Sequence, residues 1–197
     1  MALRGLGVCA HLKRRDLGWR VEELVPIMRD LGVSIVRTSV LWSQTETEKG
    51  RFEVPAVDWD WLDRVRDAGL GLNLILAYGN PIYDNPLDPD AFARYAGFLA
   101  DTLRDHNIVL YEIWNEPTNF AFKKQYGGTW GGAEPCPWLT RYAELVQKAA
   151  RAIKDRNDTA QVTINPGAPQ FVHLAERHPE ALEQVDGVAD HPYPTRF

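Results

Sequence analysis

Residues 105–117 read Asp-His-Asn-Ile-Val-Leu-Tyr-Glu-Ile-Trp-Asn-Glu-Pro. Asp105-His106-Asn107 ends one segment, an apolar run from Ile108 to Trp114 follows at once, and Asn115-Glu116-Pro117 closes it. An Asn or Gly just past a helix supplies the left-handed residue that stops it. A run that is apolar on both faces suits a strand of a covered parallel sheet. The same unit recurs upstream. Asp30-Leu31-Gly32 precedes Val33 to Val36, and Asp67-Ala68-Gly69 precedes Leu70 to Ala77.

The segments between these runs carry a helical period. Asp88-Pro89-Asp90 offers an N-cap, a first-turn proline and an acid, followed by Phe92, Tyr95, Leu99 and Leu103. Pro137 opens a second, with Leu139, Tyr142, Leu145 or Val146, Ala149 and Ile153 on one face. Val21, Leu24, Met28 and Leu31 mark a first helix, which Pro26 must kink unless it sits near the start. Trp61 or Leu62, Val65 and Ala68 mark another. Strands are expected near 4–9, 34–38, 71–77, 108–114, 161–165 and 186–190, with a last short helix around Phe171 to Glu183.

Strictly alternating strands and helices imply a parallel sheet with right-handed crossovers. No GxGxxG or GxxxxGK[ST] follows the first strand, which counts against a nucleotide-binding sheet. An eight-unit barrel takes about 250 residues, or about 31 per unit. The 197 residues here leave room for about six such units. Two architectures satisfy this alternation for a single α/β domain over residues 1–197, a doubly wound sheet and a barrel. The strand-end motifs below decide for a TIM-barrel-like (β/α) fold, incomplete, with six parallel strands, helices outside, and strands seven and eight lacking.

The bulk features narrow the classes. The chain is 45% hydrophobic and 25% charged, which excludes disordered and low-complexity proteins. A net charge of −5 argues against nucleic acid or an anionic membrane as partner. No apolar run reaches membrane-spanning length and no secretory leader is visible, so a cytoplasmic protein is expected. Cys9 and Cys136 match no metal spacing, and His11, His106, His173, His178 and His191 form no HxH or HExxH pattern. No metal or cofactor is expected. Cys9 reads as a packed thiol in a buried strand, and His106, His173 and His178 as solvated.

In parallel α/β folds the working residues stand at the C-terminal ends of strands. Strand two ends at Arg37, with Trp42 close behind, and strand three runs into Tyr78-Gly79-Asn80-Pro81. Strand four ends in Trp114-Asn115-Glu116-Pro117, and strand six in Asp190-His191-Pro192-Tyr193. A carboxylate beside an amide, ringed by Arg, His, Tyr and Trp, is chemistry for holding and protonating a polyhydroxylated ligand. Glycoside cleavage requires one protonated carboxyl group, raised in pKa by burial or by a second carboxylate. Glu116 beside Trp114 suits that part. His11 also stands at the correct end, after strand one. The segment from Asn119 to Pro137 holds Phe120, Phe122, Tyr126 and Trp130, a wall on which sugar faces could stack. Trp59 and Trp61 read as packing anchors.

Ile113-Trp114-Asn115-Glu116-Pro117 resembles the Asn-Glu-Pro signature of the clan A glycoside hydrolases, retaining β-glycosidases built on (β/α)8 barrels. Arg37 resembles the clan's arginine at the end of strand two. Tyr78 to Asp84 looks like the third-strand loop of its β-xylosidase and endoglycosidase branches. His191-Pro192-Tyr193 is similar to its sixth-strand motif, and Glu46 with Gly50 and Phe52 to the segment after strand two. The resemblance covers the whole chain. It implies Glu116 as general acid/base and a sugar site formed by Arg37, Trp42, Asn80, Asn115, Trp130, His191 and Tyr193. Asn115 would bond the sugar 2-hydroxyl in β-galactosides, β-glucosides or β-xylosides.

The clan's nucleophile, a glutamate at the end of strand seven, has no counterpart in the sequence. Glu46, Glu48, Asp84 and Asp190 could substitute, but each reads better as a surface or structural carboxylate, and Glu112 as a structural one. A catalytically inactive carbohydrate-binding relic, or a fragment of such an enzyme, is the alternative. An open arc exposes two strand edges, so a two-fold homodimer covering the gap is expected.

Overall fold

Each apolar run that follows a helix stop becomes a strand. The computed structural model of the protein describes residues 5–118, 121–131 and 133–191. In chain order it contains β1 (Leu6–Cys9), α1 (Val21–Asp30), β2 (Val33–Leu41), α2 (Trp42–Thr45), α3 (Ala56–Asp67), β3 (Gly71–Ala77) and α4 (Pro89–Thr102). There follow β4 (Ile108–Ile113), α5 (Ala121–Tyr126), α6 (Pro137–Arg156), β5 (Val162–Ile164), α7 (Ala168–Arg177) and β6 (Gly187–Val188). Short 3-10 turns stand at Arg15–Leu17 and Pro179–Leu182.

The six strands form one sheet in the order β1-β2-β3-β4-β5-β6, every neighbouring pair parallel. With helices packed around it, this is the incomplete (β/α) barrel that the strand-end motifs implied. None of the described helices is long and apolar enough to cross a membrane.

The helix stops behave as their residue types require. Gly32 has φ 72°, Gly69 φ 73° and Asn107 φ 51°, all in the left-handed region. Each turns the chain straight into β2, β3 or β4. At the other end of α4, Asp88 caps the helix by accepting from Ala91 N at 2.7 Å, with Pro89 in the first turn.

The two faces of the sheet differ. One face carries Val36, Val40, Leu72, Leu74, Leu76, Tyr111, Ile113, Val162 and Ile164, all fully buried against the helices. The other face lines the inside of the arc and is polar: register places Cys9, Arg37 and Asn73 side by side, then Ile75, Glu112, Thr163 and Gly187. The hydrophobic core therefore sits between sheet and helices. Leu72, Leu74 and Tyr111 meet Phe92, Tyr95, Leu99 and, from α6, Tyr142, Val146 and Ala149 within it.

Several local expectations shift. The buried stripe of α1 is Val21, Val25 and Met28, a spacing of four and three, whereas Leu31 is 68% exposed. Leu31 lies past the last helical turn, so it no longer follows the helix face. Pro26 sits inside α1. Cys9 is exposed on the inner face rather than packed, because β1 is the edge strand and only β2 covers it. His106 is not solvated: it lies 93% buried between Trp59 and Asp63, with Nε2 3.2 Å from the Asp63 carboxylate.

The left-handed stops yield a test. A Cβ at Gly69 would meet nothing within 4 Å, so any cost of Gly69→Ala is conformational. Gly69→Ala should lose about 1–2 kcal/mol in urea denaturation, since a left-handed L-residue costs that much. Gly131→Ala, in equally open space without a positive φ, should change stability little.

Candidate active site

The β4 strand delivers two glutamates to the inner face, Glu112 within it and Glu116 just past its end. Glu112 is fully buried and takes a two-pronged bond from Arg37: Nε to Oε2 at 2.8 Å and Nη2 to Oε1 at 2.6 Å. Asn73 Nδ2 adds a third donor at 3.0 Å, and Asn165 Nδ2 a fourth. A buried carboxylate needs this satisfaction, because an ion without partners is costly in a low dielectric. Burial alone would lower the Arg37 pKa, but its bonds to Glu112 and that residue's charge outweigh burial and hold it above the ordinary arginine value.

Arg37 does more than neutralise Glu112. Its Nη2 also donates to Asn115 Oδ1 at 2.8 Å, which orients the amide so that Nδ2 faces Tyr78 OH at 3.3 Å. Asn165, at the end of β5, accepts from the Glu116 backbone N at 2.6 Å. His191 lies between the glutamates, with Nδ1 2.9 Å from Glu116 Oε1 and Nε2 3.6 Å from Glu112 Oε1. The backbone of this turn is strained: Trp114 has φ 67° and Glu116 φ 51°. Bulky residues are held in that region only where their surroundings over-determine them. Here the fully packed Trp114 ring and the Asn165 bond do so.

Above this network lies a cavity of about 490 Å³, lined among others by His11, Arg37, Tyr78, Asn115, Glu116 and His191. A smaller one of about 200 Å³ runs along the other side of Glu116 and reaches Asn165 and Asp190. The Glu116 side chain is 18% exposed, enough to meet a ligand while half-shielded from water.

Arg37, Asn115, Glu116 and His191 are thus brought together as the strand-end rule anticipated. Three other expected residues are not. Trp42 and Asn80 are fully buried and bind Glu46: Trp42 Nε1 donates to Oε2 at 2.6 Å and Asn80 Nδ2 to the Glu46 carbonyl at 2.8 Å. The structure corrects their assignment. They anchor the loop after β2, together with Gly50 N and Tyr83 OH on Glu46 Oε1. Trp130 is 46% exposed, with Lys123 Nζ 5.0 Å over its ring, outside the lining of both cavities. Tyr193 lies outside the described residues, as do Pro192 and Phe120.

The aromatic wall divides likewise. Phe122 turns inward, fully buried, with its ring 4.8 Å from Trp114 and 5.4 Å from Tyr142. Of the other carboxylates, Glu46 is buried and spoken for. Glu48 and Asp84 are exposed, away from both cavities, and Asp190 is exposed beside the smaller one.

Asn73 and Asn165 escaped the sequence reading. Asn165 follows the apolar Val162-Thr163-Ile164, so the strand-end rule applied to β5 finds it. Asn73 breaks an otherwise apolar strand, and its register with Arg37 marks the inner face.

Comparison with solved structures agrees with this layout. A family 39 glycoside hydrolase from the gut symbiont Bacteroides cellulosilyticus WH2 superposes with a TM-score of 0.74 at 17% identity, covering 96% of this chain and 38% of that one. The exo-β-1,4-mannosidase Op5Man5 from Opitutaceae bacterium strain TAV5 gives 0.68 at 16% identity, covering 95% and 38%. The family 1 β-glucosidase of Thermotoga maritima gives 0.64 at 15%, covering 86% and 52%. The fold is that of the glycoside hydrolase barrels. The chain spans little more than a third of the length of the first two. No family model and no curated protein matches it.

The Arg37–Glu112 ion pair yields a prediction. Arg37→Met leaves Glu112 buried without its cation and should cost about 3–5 kcal/mol in urea denaturation. The double variant Arg37→Met/Glu112→Gln should recover part of that loss, because the uncompensated charge is then gone. A double variant no more stable than Arg37→Met would show that the pair contributes through packing instead.

Proposed function

We propose that the protein hydrolyses β-linked glycosides with Glu116 as general acid/base. The observation that carries this reading is the placement of Glu116: a strained, His191-bonded carboxyl at the floor of the cavity, beside an amide locked by Arg37. In the first step the Glu116 carboxyl gives its proton to the leaving oxygen; in the second its carboxylate takes one from water. Asn115 Nδ2 is free to shift from Tyr78 OH to a sugar 2-hydroxyl. Arg37 acts through Asn115 and Glu112, and His191 holds Glu116 in place. Trp130 and Tyr193 remain proposed ligand contacts.

Such hydrolysis takes two carboxylates. Glu116 is the only one among the described residues lining the larger cavity, and Glu112 is sealed beneath Arg37. That favours a second reading, a sugar-binding relic without turnover.

We also propose a two-fold homodimer of this domain. Its support is the exposed inner arc: β1 and β6 pair on one side only, with Leu6 57% and Val188 47% exposed. A cavity of about 540 Å³ opens between β4, β5 and β6 on the same side.

Alkyl β-glycosides, whose poor leaving groups require protonation, test the acid. Glu116→Gln should lower kcat by about 10²- to 10⁴-fold on them, and far less on nitrophenyl glycosides. Equal turnover by both proteins would overturn the role of Glu116. No turnover by either, with sugars still raising the Tm, would establish the relic. Light scattering after size exclusion should show a dimer at micromolar concentration; a stable monomer refutes it.

A further inference from the structure

The wall of the 490 Å³ cavity opposite Glu116 carries a cluster of cationic hydrogen-bond donors beside the Thr38 and Ser39 hydroxyls. His11, Lys13, Arg14 and Arg37 line it, with Glu116 the one carboxylate among the described lining residues. Lys13 is committed: its Nζ bonds Gln44 at 3.0 Å and the buried Asp58 carboxylate at 3.0 Å. The other three keep capacity. Arg14 spends Nε and Nη2 on Asp16, at 2.8 and 2.7 Å, and no described residue accepts from its Nη1. Arg37 spends Nε and Nη2 on Glu112 and Asn115, while its Nη1 meets, among the described residues, only Cys9 Sγ at the long distance of 3.7 Å. His11 leans on Trp19 at a ring separation of 5.7 Å, and its ring nitrogens bond no described residue.

Guanidinium groups carry donors only, and an anionic oxygen group accepts only, so the two match with nothing left unpaired. A neutral sugar hydroxyl could accept from the same groups but would leave the guanidinium charge unmatched. Asp16 and Glu112 cancel net charge but occupy other edges of the same guanidinium groups, so the donors that face the cavity stay available.

We propose that the cavity takes an anionic sugar, a uronate or a sugar bearing a phosphate or sulfate ester, with the anionic group bound by His11, Arg14 and Arg37. This rests on the reading of the cavity as a glycoside site.

Thermal shift of the full chain tests the inference without requiring turnover. Glucuronate, glucose 6-phosphate and glucose are titrated at matched ionic strength into wild type, His11→Gln, Arg14→Gln and the double variant. At least one anion should bind about tenfold or more tightly than glucose, as a hydrogen bond to a charged group allows. Glucuronate ahead of glucose 6-phosphate assigns a carboxylate, and the reverse order a phosphate; either supports the proposal. The double variant, with an unliganded Tm near that of wild type, should lose the preference. Equal binding of glucose, or a preference that survives in the double variant, overturns it. Turnover of neutral glycosides without anion preference defeats this inference alone. Anion binding without any turnover defeats the proposed hydrolysis and leaves the inference standing.

Discussion

A half-buried guanidinium and a fully buried carboxylate, paired on the inner face of the sheet, hold the rest of the site. Neither Arg37 nor Glu112 could lie there alone, since an unpaired ion in that environment costs several kcal/mol. Paired, they become an anchor. Arg37 reaches on to Asn115, Asn73 and Asn165 close on Glu112, and Asn165 turns back to the backbone of Glu116. Four strands, β2 to β5, are thereby tied at one level, just below the point where a ligand would sit. The pair links residues 75 positions apart, so it forms only once three consecutive strands, β2 to β4, have docked in register.

The same dependence explains what the sequence could disclose. Fold class follows from local chemistry: the helix stops at Gly32, Gly69 and Asn107 and the apolar runs after them are read over windows of a few residues. Arg37, Asn115, Glu116 and His191 follow from one further rule, that strand ends converge. What stayed hidden depends on direction. Trp42 and Asn80 stand in loops at the correct end of the sheet, yet both turn away from the cavity toward Glu46. A fully buried carboxylate that draws donors from three separate segments leaves no periodic trace along the chain. Cys9 departs from the packed position expected of it for a similar reason. Its strand has the apolar texture of a covered one, and only the sheet order reveals it as an edge.

Strain gives the glutamate its position. Trp114 and Glu116 adopt left-handed backbone angles that neither side chain favours. The packed Trp114 ring, wedged against Tyr78, Phe92 and Phe122, resists relaxation on one side. The Asn165 amide resists it on the other. Residues that carry no chemistry therefore fix where Glu116 points, and the aromatic segment after β4 contributes Phe122 to that clamp.

The difference between the two sheet faces decides how an arc of six strands can hold a site at all. Its hydrophobic core lies between the outer face and the helices, where nine strand side chains from Val36 to Ile164 are fully buried. Burial of that face does not depend on closing the arc. The inner face is organised by hydrogen bonds and an ion pair that form among β2 to β5, leaving Asn73 Oδ1 and Thr163 Oγ1 without a partner among the described residues. Stability and site geometry are thus drawn from opposite faces of the same strands. A substitution beneath the helices should act on folding first, and one on the inner face on the orientation of Glu116. The exception is the Arg37–Glu112 pair, which belongs to the inner face by position and to the core by burial.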